Sequence, residues 1–202
     1  MTVKVLLAED QGMVRGALAA LLSLQHDIEV VAQVERGDQV VAAALEHRPD
    51  VALLDIEMPG TDGLTAAAAL REALPACRTL ILTTFGRPGY LRRAMEAGAY
   101  GFLVKDSPAD ELAAAVRRAA AGQRTVDPGL ATAALLEGTN PLSDREREVL
   151  AAARHGGTAA DIARRLHLSE GTVRNHLSAA IRKLGARSRL EALNIAERKG
   201  WR

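Results

Sequence analysis

A small set of side chains could do chemistry together if the fold brought them to one place. Glu9 and Asp10 follow the apolar run Val3 to Ala8. Asp55 ends the run Val51 to Leu54, Thr83 and Thr84 end Thr79 to Leu82, and Lys105 follows Tyr100 to Val104. Three neighbouring carboxylates repel one another and need a cation, and all-oxygen ligation with room for water suits Mg²⁺. A cation beside Asp55 could hold a phosphoryl group for in-line transfer. Lys105 and a threonine hydroxyl could then meet its equatorial oxygens. Asp55 is therefore a candidate nucleophile that forms an acyl phosphate. A lone aspartate at a strand end is more often a solvated surface group, so the weight rests on the whole set.

The elements that must position this set are legible. Four apolar residues leading into Asp55 read as a strand buried on both faces, and Pro59-Gly60 and Asp62-Gly63 end it in a loop. Strands are expected at 3–8, 28–34, 51–54, 79–84 and 100–104, and helices at 13–24, 37–46, 64–74, 90–97 and from Pro108 to Ala121. The helix faces are Val14, Leu18, Leu21 and Leu22 in the first and Val40, Val41, Ala44 and Leu45 in the second. Arg87-Pro88-Gly89 reads as a turn. Ser107 can cap the last helix, with Pro108 at its first position and Asp110-Glu111 at its positive end. Strand and helix alternate five times, which implies a parallel sheet covered on both faces. The chemistry-bearing residues then share the carboxyl edge of that sheet.

Together, Glu9-Asp10, Asp55 within D-I-E-M-P-G-x-D-G, Thr83 and Lys105 resemble the receiver domain of two-component response regulators. The resemblance implies that Asp55 accepts phosphate from a sensor histidine kinase. It also implies that Mg²⁺ sits on Glu9, Asp10, Asp55 and the backbone carbonyl of Glu57, and that Thr83 and Phe102 form a switch pair. Phe102 departs from the tyrosine common at its position and has no hydroxyl to bond outward.

Charge divides the chain. Residues 1–124 hold 13 Lys and Arg against 16 Asp and Glu, whereas residues 141–202 hold 13 against 7. A basic second part is suited to a polyanion. Four short helices are expected there. Ser143 and Glu146 have capping-box spacing, Ser169 can cap the third helix, and Ser188 with Glu191 opens the fourth. In the third helix Val173, Leu177, Ala180, Ile181 and Leu184 face inward, leaving Arg174, Asn175, Ser178 and Arg182 on the other side. The stretch P-L-S-D-R-E-R-E-V-L through D-I-A-R-R-L-H-L-S-E-G-T-V-R-N-H-L closely resembles the LuxR-type helix-turn-helix domain.

A receiver followed by that domain is the arrangement of the NarL/FixJ class. Within the class, E-D-Q-x-M, L-T-T-F-x-R-P-G-Y and L-x-K-D-S-P look like the DesR subgroup. The expected organisation is a five-stranded parallel (βα)5 α/β receiver at 1–122, a linker at 123–140 and an all-α four-helix DNA-binding domain at 141–202. The resemblance brings Thr172, Arg174, Asn175, Ser178, Arg182 and Lys183 to double-stranded DNA. Ser178 stands where many relatives carry lysine. It also implies a homodimer when phosphorylated, with Met13–Leu24, Tyr90–Ala97 and Pro108–Ala121 as candidate faces.

The single cysteine, Cys77, excludes an internal disulfide and a cysteine-rich metal site. His176 reads as a helix-surface or packing residue rather than a ligand. The absence of a signal-peptide core or a long apolar run leads to the expectation of a cytoplasmic protein without membrane insertion. A haloacid-dehalogenase-like phosphatase is the competing enzyme reading. It needs D-x-D on its first strand, whereas Asp55 lies on the third and is followed by Ile56-Glu57-Met58.

Overall fold

The computed structural model describes residues 2–84, 86, 88–126, 128–136 and 140–201. Apart from residues 87–90, one compact unit takes in the chain up to Thr132 and a second begins at Ala133.

The first unit is a parallel sheet. Its strands are β1 (Val3–Ala8), β2 (Ile28–Val34), β3 (Val51–Asp55), β4 (Arg78–Thr83), β5 (Gly101–Val104) and β6 (Thr125–Val126), in the spatial order β2-β1-β3-β4-β5-β6. Between them run α1 (Gly12–Ser23), α2 (Val40–His47), α3 (Gly63–Ala73), α4 (Pro88–Glu96) and α5 (Ala109–Ala120). Alternation along the strands splits the core. Val5, Leu7, Val51, Leu53, Leu80, Leu82 and Leu103 pack with Leu18 and Leu22 of α1 and with Leu112, Val116 and Ala119 of α5. The residues between them, Leu6, Ala52, Leu54 and Ile81, are equally buried. This two-sided burial is why the strands read as unbroken apolar runs. Arg117 ties α5 to the turn before β2, donating to both oxygens of Asp27 at 2.8 and 2.7 Å. Those bonds hold the Asp27 carboxyl down at about 2.

Several local expectations shift. The sheet gains a sixth strand, because Thr125 and Val126, expected in the linker, pair with Gly101 and Phe102. Leu21 and Leu45, expected inward, lie 38% and 43% exposed. Each sits about 100° around its helix from the buried Leu22 or Ala44. Ser107 does not cap α5. Pro108 takes the N-cap place with an extended ψ of 146°, so the helix starts one residue later and Ser107 falls outside it. Pro88 and Gly89, expected in a turn, already belong to α4, while Arg87 lies outside the described residues. Asp127 and residues 137–139 of the expected linker also lie outside them, and α6 (Pro128–Leu136) occupies its middle.

The second unit holds α7 (Asp144–Ala152), α8 (Ala159–Leu166), α9 (Glu170–Lys183) and α10 (Arg189–Arg198). Ser143 and Glu146 form the capping box of α7, Ser169 caps α9, and Ser188 accepts from Glu191 N–H at the start of α10. Glu191 reaches back to Arg187 N–H instead of to Ser188. An unexpected second box, Thr158 with Asp161, opens α8. Two small cores result. Val149, Ile162, Ala163 and Val173 make one. Leu142, Leu150, Ala180, Ala192, Ala196 and Trp201 make the other. Asn140 donates to the Trp201 carbonyl and accepts from Leu142 N–H, fastening the segment before α7 to the residues after α10.

Candidate functional site

The carboxyl edge of the sheet brings the expected residues together. Glu9 follows β1 and is fully buried, Asp55 ends β3 at 4% exposure, and Thr83 ends β4 at 5%. Ligand oxygens of Glu9, Asp10 and Asp55 all lie within 4.8 Å of one another. Lys105, just past β5, places Nζ 2.6 Å from Glu9 Oε2 and 3.0 Å from Asp55 Oδ1. Asp55 Oδ1 also accepts from Ile56 N–H at 2.8 Å. Phe102 is buried on β5, pairing with Ile81 of β4. Glu57 stands in the exposed loop directly after Ile56.

That loop is shaped by its sequence. Asp62 caps α3 by accepting from Leu64 and Thr65 N–H at 3.0 and 2.9 Å. Gly63 passes so close to the Asp55 carbonyl that a Cβ there would lie 1.9 Å from its oxygen. Asp-Gly is thus required at this place: a cap, then a residue without a side chain against the backbone of the candidate nucleophile.

The electrostatics follow from burial. Desolvation pushes the Asp55 carboxyl up to about 6, against the pull of the Lys105 ammonium. Burial works to lower Lys105, but the carboxylates of Glu9 and Asp55 outweigh it and leave the ammonium firmly charged. Glu9 Oε2 and Lys105 Nζ form a buried ion pair at 2.6 Å, but one ammonium does not offset three clustered carboxylates. An all-oxygen donor set with that excess of negative charge fits a hard divalent cation. Glu9, Asp10 and Asp55 would hold it.

In the second unit, His167 in the left-handed conformation (φ 53°) ends α8, and Ser169 begins α9 two residues later. This is a helix-turn-helix. Val173 and Ala180 are buried, and Arg174, Asn175, Ser178 and Arg182 are exposed. Arg174 Nη2 lies 2.7 Å from Glu170 Oε2, one turn back. Thr172 is half-buried, its hydroxyl 2.8 Å from that of Ser169. Lys183 is exposed at the end of α9. Its ammonium turns back to the buried Glu146, at 2.7 Å, and braces α9 against α7. His176 is half-buried in the helix.

Models of protein families match both units. The response regulator receiver domain matches residues 5–117, and the luxR family of bacterial regulatory proteins matches residues 140–196. The chain belongs to the two-component response regulators. It joins a parallel α/β receiver to a LuxR-type helix-turn-helix, and its family regulates transcription by binding DNA; it is not a family of enzymes. The regulator is 46% identical over 199 residues to the transcriptional regulatory protein YvfU of Bacillus subtilis, covering 98% of this chain and 99% of that one. To the transcriptional regulatory protein DesR of the same organism it is 44% identical, with 98% of each chain covered. The response regulator ChrA of a heme-sensing two-component system is a similar solved structure, with 36% identity, a TM-score of 0.59 and 98% of both chains covered. The acidic triad Glu9, Asp10 and Asp55 is of the kind that binds Mg²⁺ in receivers. Among the described residues, no helix is long and apolar enough to cross a membrane.

Sequence reasoning did not single out Arg15 or the second role of Glu146. Arg15 lies one turn into α1 and donates to the Glu9 carbonyl at 2.5 Å. Its only sequence signal is an arginine six residues after a candidate ligand. Glu146 was readable as a capping residue, and its buried pairing with Lys183 is a tertiary fact with no local signature.

Proposed function

We propose that Asp55 takes a phosphoryl group from the phosphohistidine of a sensor kinase, and that the phosphorylated regulator binds DNA through α9 as a two-fold dimer. The convergence of Glu9, Asp10, Asp55, Thr83 and Lys105 on one sheet edge carries this reading. An Asp55 oxygen attacks phosphorus as the phosphorus–nitrogen bond to the kinase imidazole breaks. The electron pair returns to the imidazole nitrogen, which is then protonated. The nucleophile must be ionised, and a carboxyl held near 6 is mostly so at neutral pH. Lys105 stands beside Asp55 Oδ1, where it can pair with phosphoryl oxygen. The Thr83 hydroxyl, at the end of the next strand, is the second candidate for such a contact. Mg²⁺ held by Glu9, Asp10, Asp55 and the Glu57 carbonyl would supply the positive charge that lets a phosphoryl group approach three carboxylates.

For dimerisation, α1 is favoured over α4 and α5. Its outward face carries Met13, Gly16, Ala17 and Ala20 and is continued by Leu24 at the C-cap, with Met13 and Leu24 89% and 78% exposed. The only charged residue in α1, Arg15, turns inward to Glu9. An uncharged, exposed helix face of this kind suits a second copy of itself. Outward positions of α5 carry Glu111, Arg117 and Arg118.

Intact mass after acetyl phosphate treatment tests the pocket. One phosphoryl group should be added with Mg²⁺ present, and none to Asp55→Ala. Equal labelling of that variant would sink the assignment. Sedimentation with and without beryllofluoride tests the dimer. A chain that stays monomeric in both states, on and off DNA, would remove that part of the reading.

A further inference from the structure

We infer that Arg15 is a positioning residue for the acidic cluster: its guanidinium clamps the turn that carries Glu9 and Asp10. This rests on the reading of that cluster as a Mg²⁺ site. Two carboxylates in sequence, beside a third on β3, push the turn apart by their own repulsion. The Lys105 ammonium offsets part of that repulsion at the Glu9 and Asp55 carboxylates, and the backbone of the turn needs a restraint of its own. The start of α1 offers little help, since Gln11 at its N-cap makes no side-chain capping bond.

Arg15 supplies the restraint. Nη1 donates to the Glu9 carbonyl at 2.5 Å, and Nη2 lies 3.7 Å from the Glu35 carboxylate just past β2. On the other side, Glu9 N–H bonds to Val34 O at 3.0 Å. The Glu9 backbone is thus fixed through both its donor and its acceptor. Its carboxylate is steadied in turn by Gln11 N–H, 3.2 Å from Oε1. A forked guanidinium can span two anchors, whereas an ammonium meets them as a single point.

Charge and clamping predict opposite signs, which makes the role testable. A positive group beside a cation site opposes the cation through space. If charge were all that mattered, Arg15→Ala would tighten metal binding and Arg15→Lys would leave it unchanged. A clamp predicts that both variants weaken it.

The test uses the full chain and Mn²⁺, whose free electron paramagnetic resonance signal falls as it binds, with Mg²⁺ as competitor. Both variants should raise the dissociation constant about tenfold, the low end for losing a group that orients a metal ligand. Circular dichroism should match the wild type. Acetyl phosphate labelling should then need correspondingly more Mg²⁺ for half its maximal rate. Arg15→Ala binding as tightly as wild type or tighter, or Arg15→Lys binding equally, overturns the clamp. Should Arg15→Ala fail to fold, Arg15→Lys decides. A wild-type chain that binds neither ion would remove the metal-site reading itself, a result distinct from equal binding by wild type and variants.

Discussion

Replacing Asp55 by asparagine should stabilise the receiver at neutral pH in the absence of divalent cations. Burial raises the Asp55 carboxyl from 3.8 to about 6. Between those values the folded state holds a proton that the unfolded state has released. Stability therefore falls as pH rises through this window, and the loss is complete above the folded value. A shift of about two units corresponds to roughly 3 kcal/mol. Asparagine resembles the protonated carboxyl and recovers most of that amount, less what its amide loses against the Lys105 ammonium. For a domain of this size the midpoint should rise by about 10 °C. The only tryptophan, Trp201, lies in the second unit, so its fluorescence follows that unit. Ellipticity lost in a transition that fluorescence does not report then belongs to the receiver. The advantage should shrink as pH is lowered from about 6 toward 3.8, and it vanishes below that value, where both states of the wild type are protonated. Added Mg²⁺ should favour the wild type over the variant by mass action. A variant that melts at or below the wild type near pH 7.5 in chelator, or an advantage that widens toward acid, would refute the burial argument.

Arg174→Ala should cost about 1–3 kcal/mol of operator affinity if the guanidinium reads a base. If it meets a phosphate, all sequences should bind more weakly and the salt slope should fall by about one. Unchanged binding in a titration would mean that the recognition face lies elsewhere. Lys183→Met should lower the stability of the second unit by about 1–2 kcal/mol, because it leaves Glu146 buried with only the Ser143 amide. The salt slope of DNA binding should stay the same, since that ammonium is committed to Glu146. Glu146 is itself held below its ordinary value despite burial, by Lys183 and Ser143. Its contribution is thus fully present above the unfolded value of 4.5 and is lost as pH falls through the depressed folded one, as tryptophan fluorescence during acid unfolding would show. Leu24→Asp should abolish beryllofluoride-induced association without changing phosphate uptake, and a dimer of undiminished strength in sedimentation would move the interface off α1.

Legibility differed from one residue to the next for physical reasons. Asp55 and Lys105 could be placed from sequence because a strand buried on both faces leaves an apolar run whose end is marked by its first charged residue. Once the strands were parallel, their ends had to share an edge. The capping box of Ser143 and Glu146 was readable because it is local. β6 was not, since two residues cannot display a period. Lys183 lies near the polar face of its helix when the residues are projected on a wheel. A helical side chain leans toward the N-terminus, however, and a long one can reach a neighbouring helix from there. Arg15 was invisible for a related reason: its partners, Glu9 and Glu35, come from different strands and meet only in the folded sheet.

The two-residue strand β6 changes where this protein can be cut. Thr125 N–H bonds to the Tyr100 carbonyl at 2.8 Å, and Arg118 Nε fixes the Thr125 hydroxyl at 2.8 Å. A fragment ending at residue 122 would strip that cover from β5 and leave the backbone of Gly101 and Phe102 as a bare edge. Bare edges recruit other chains, and aggregation of such a fragment would be misread as a property of the receiver. A cut placed beyond Val126 keeps that pairing. The same pairing joins Val126 to Phe102. The tether toward the DNA-binding unit therefore leaves the sheet from the strand next to the one that carries Phe102, the expected switch residue.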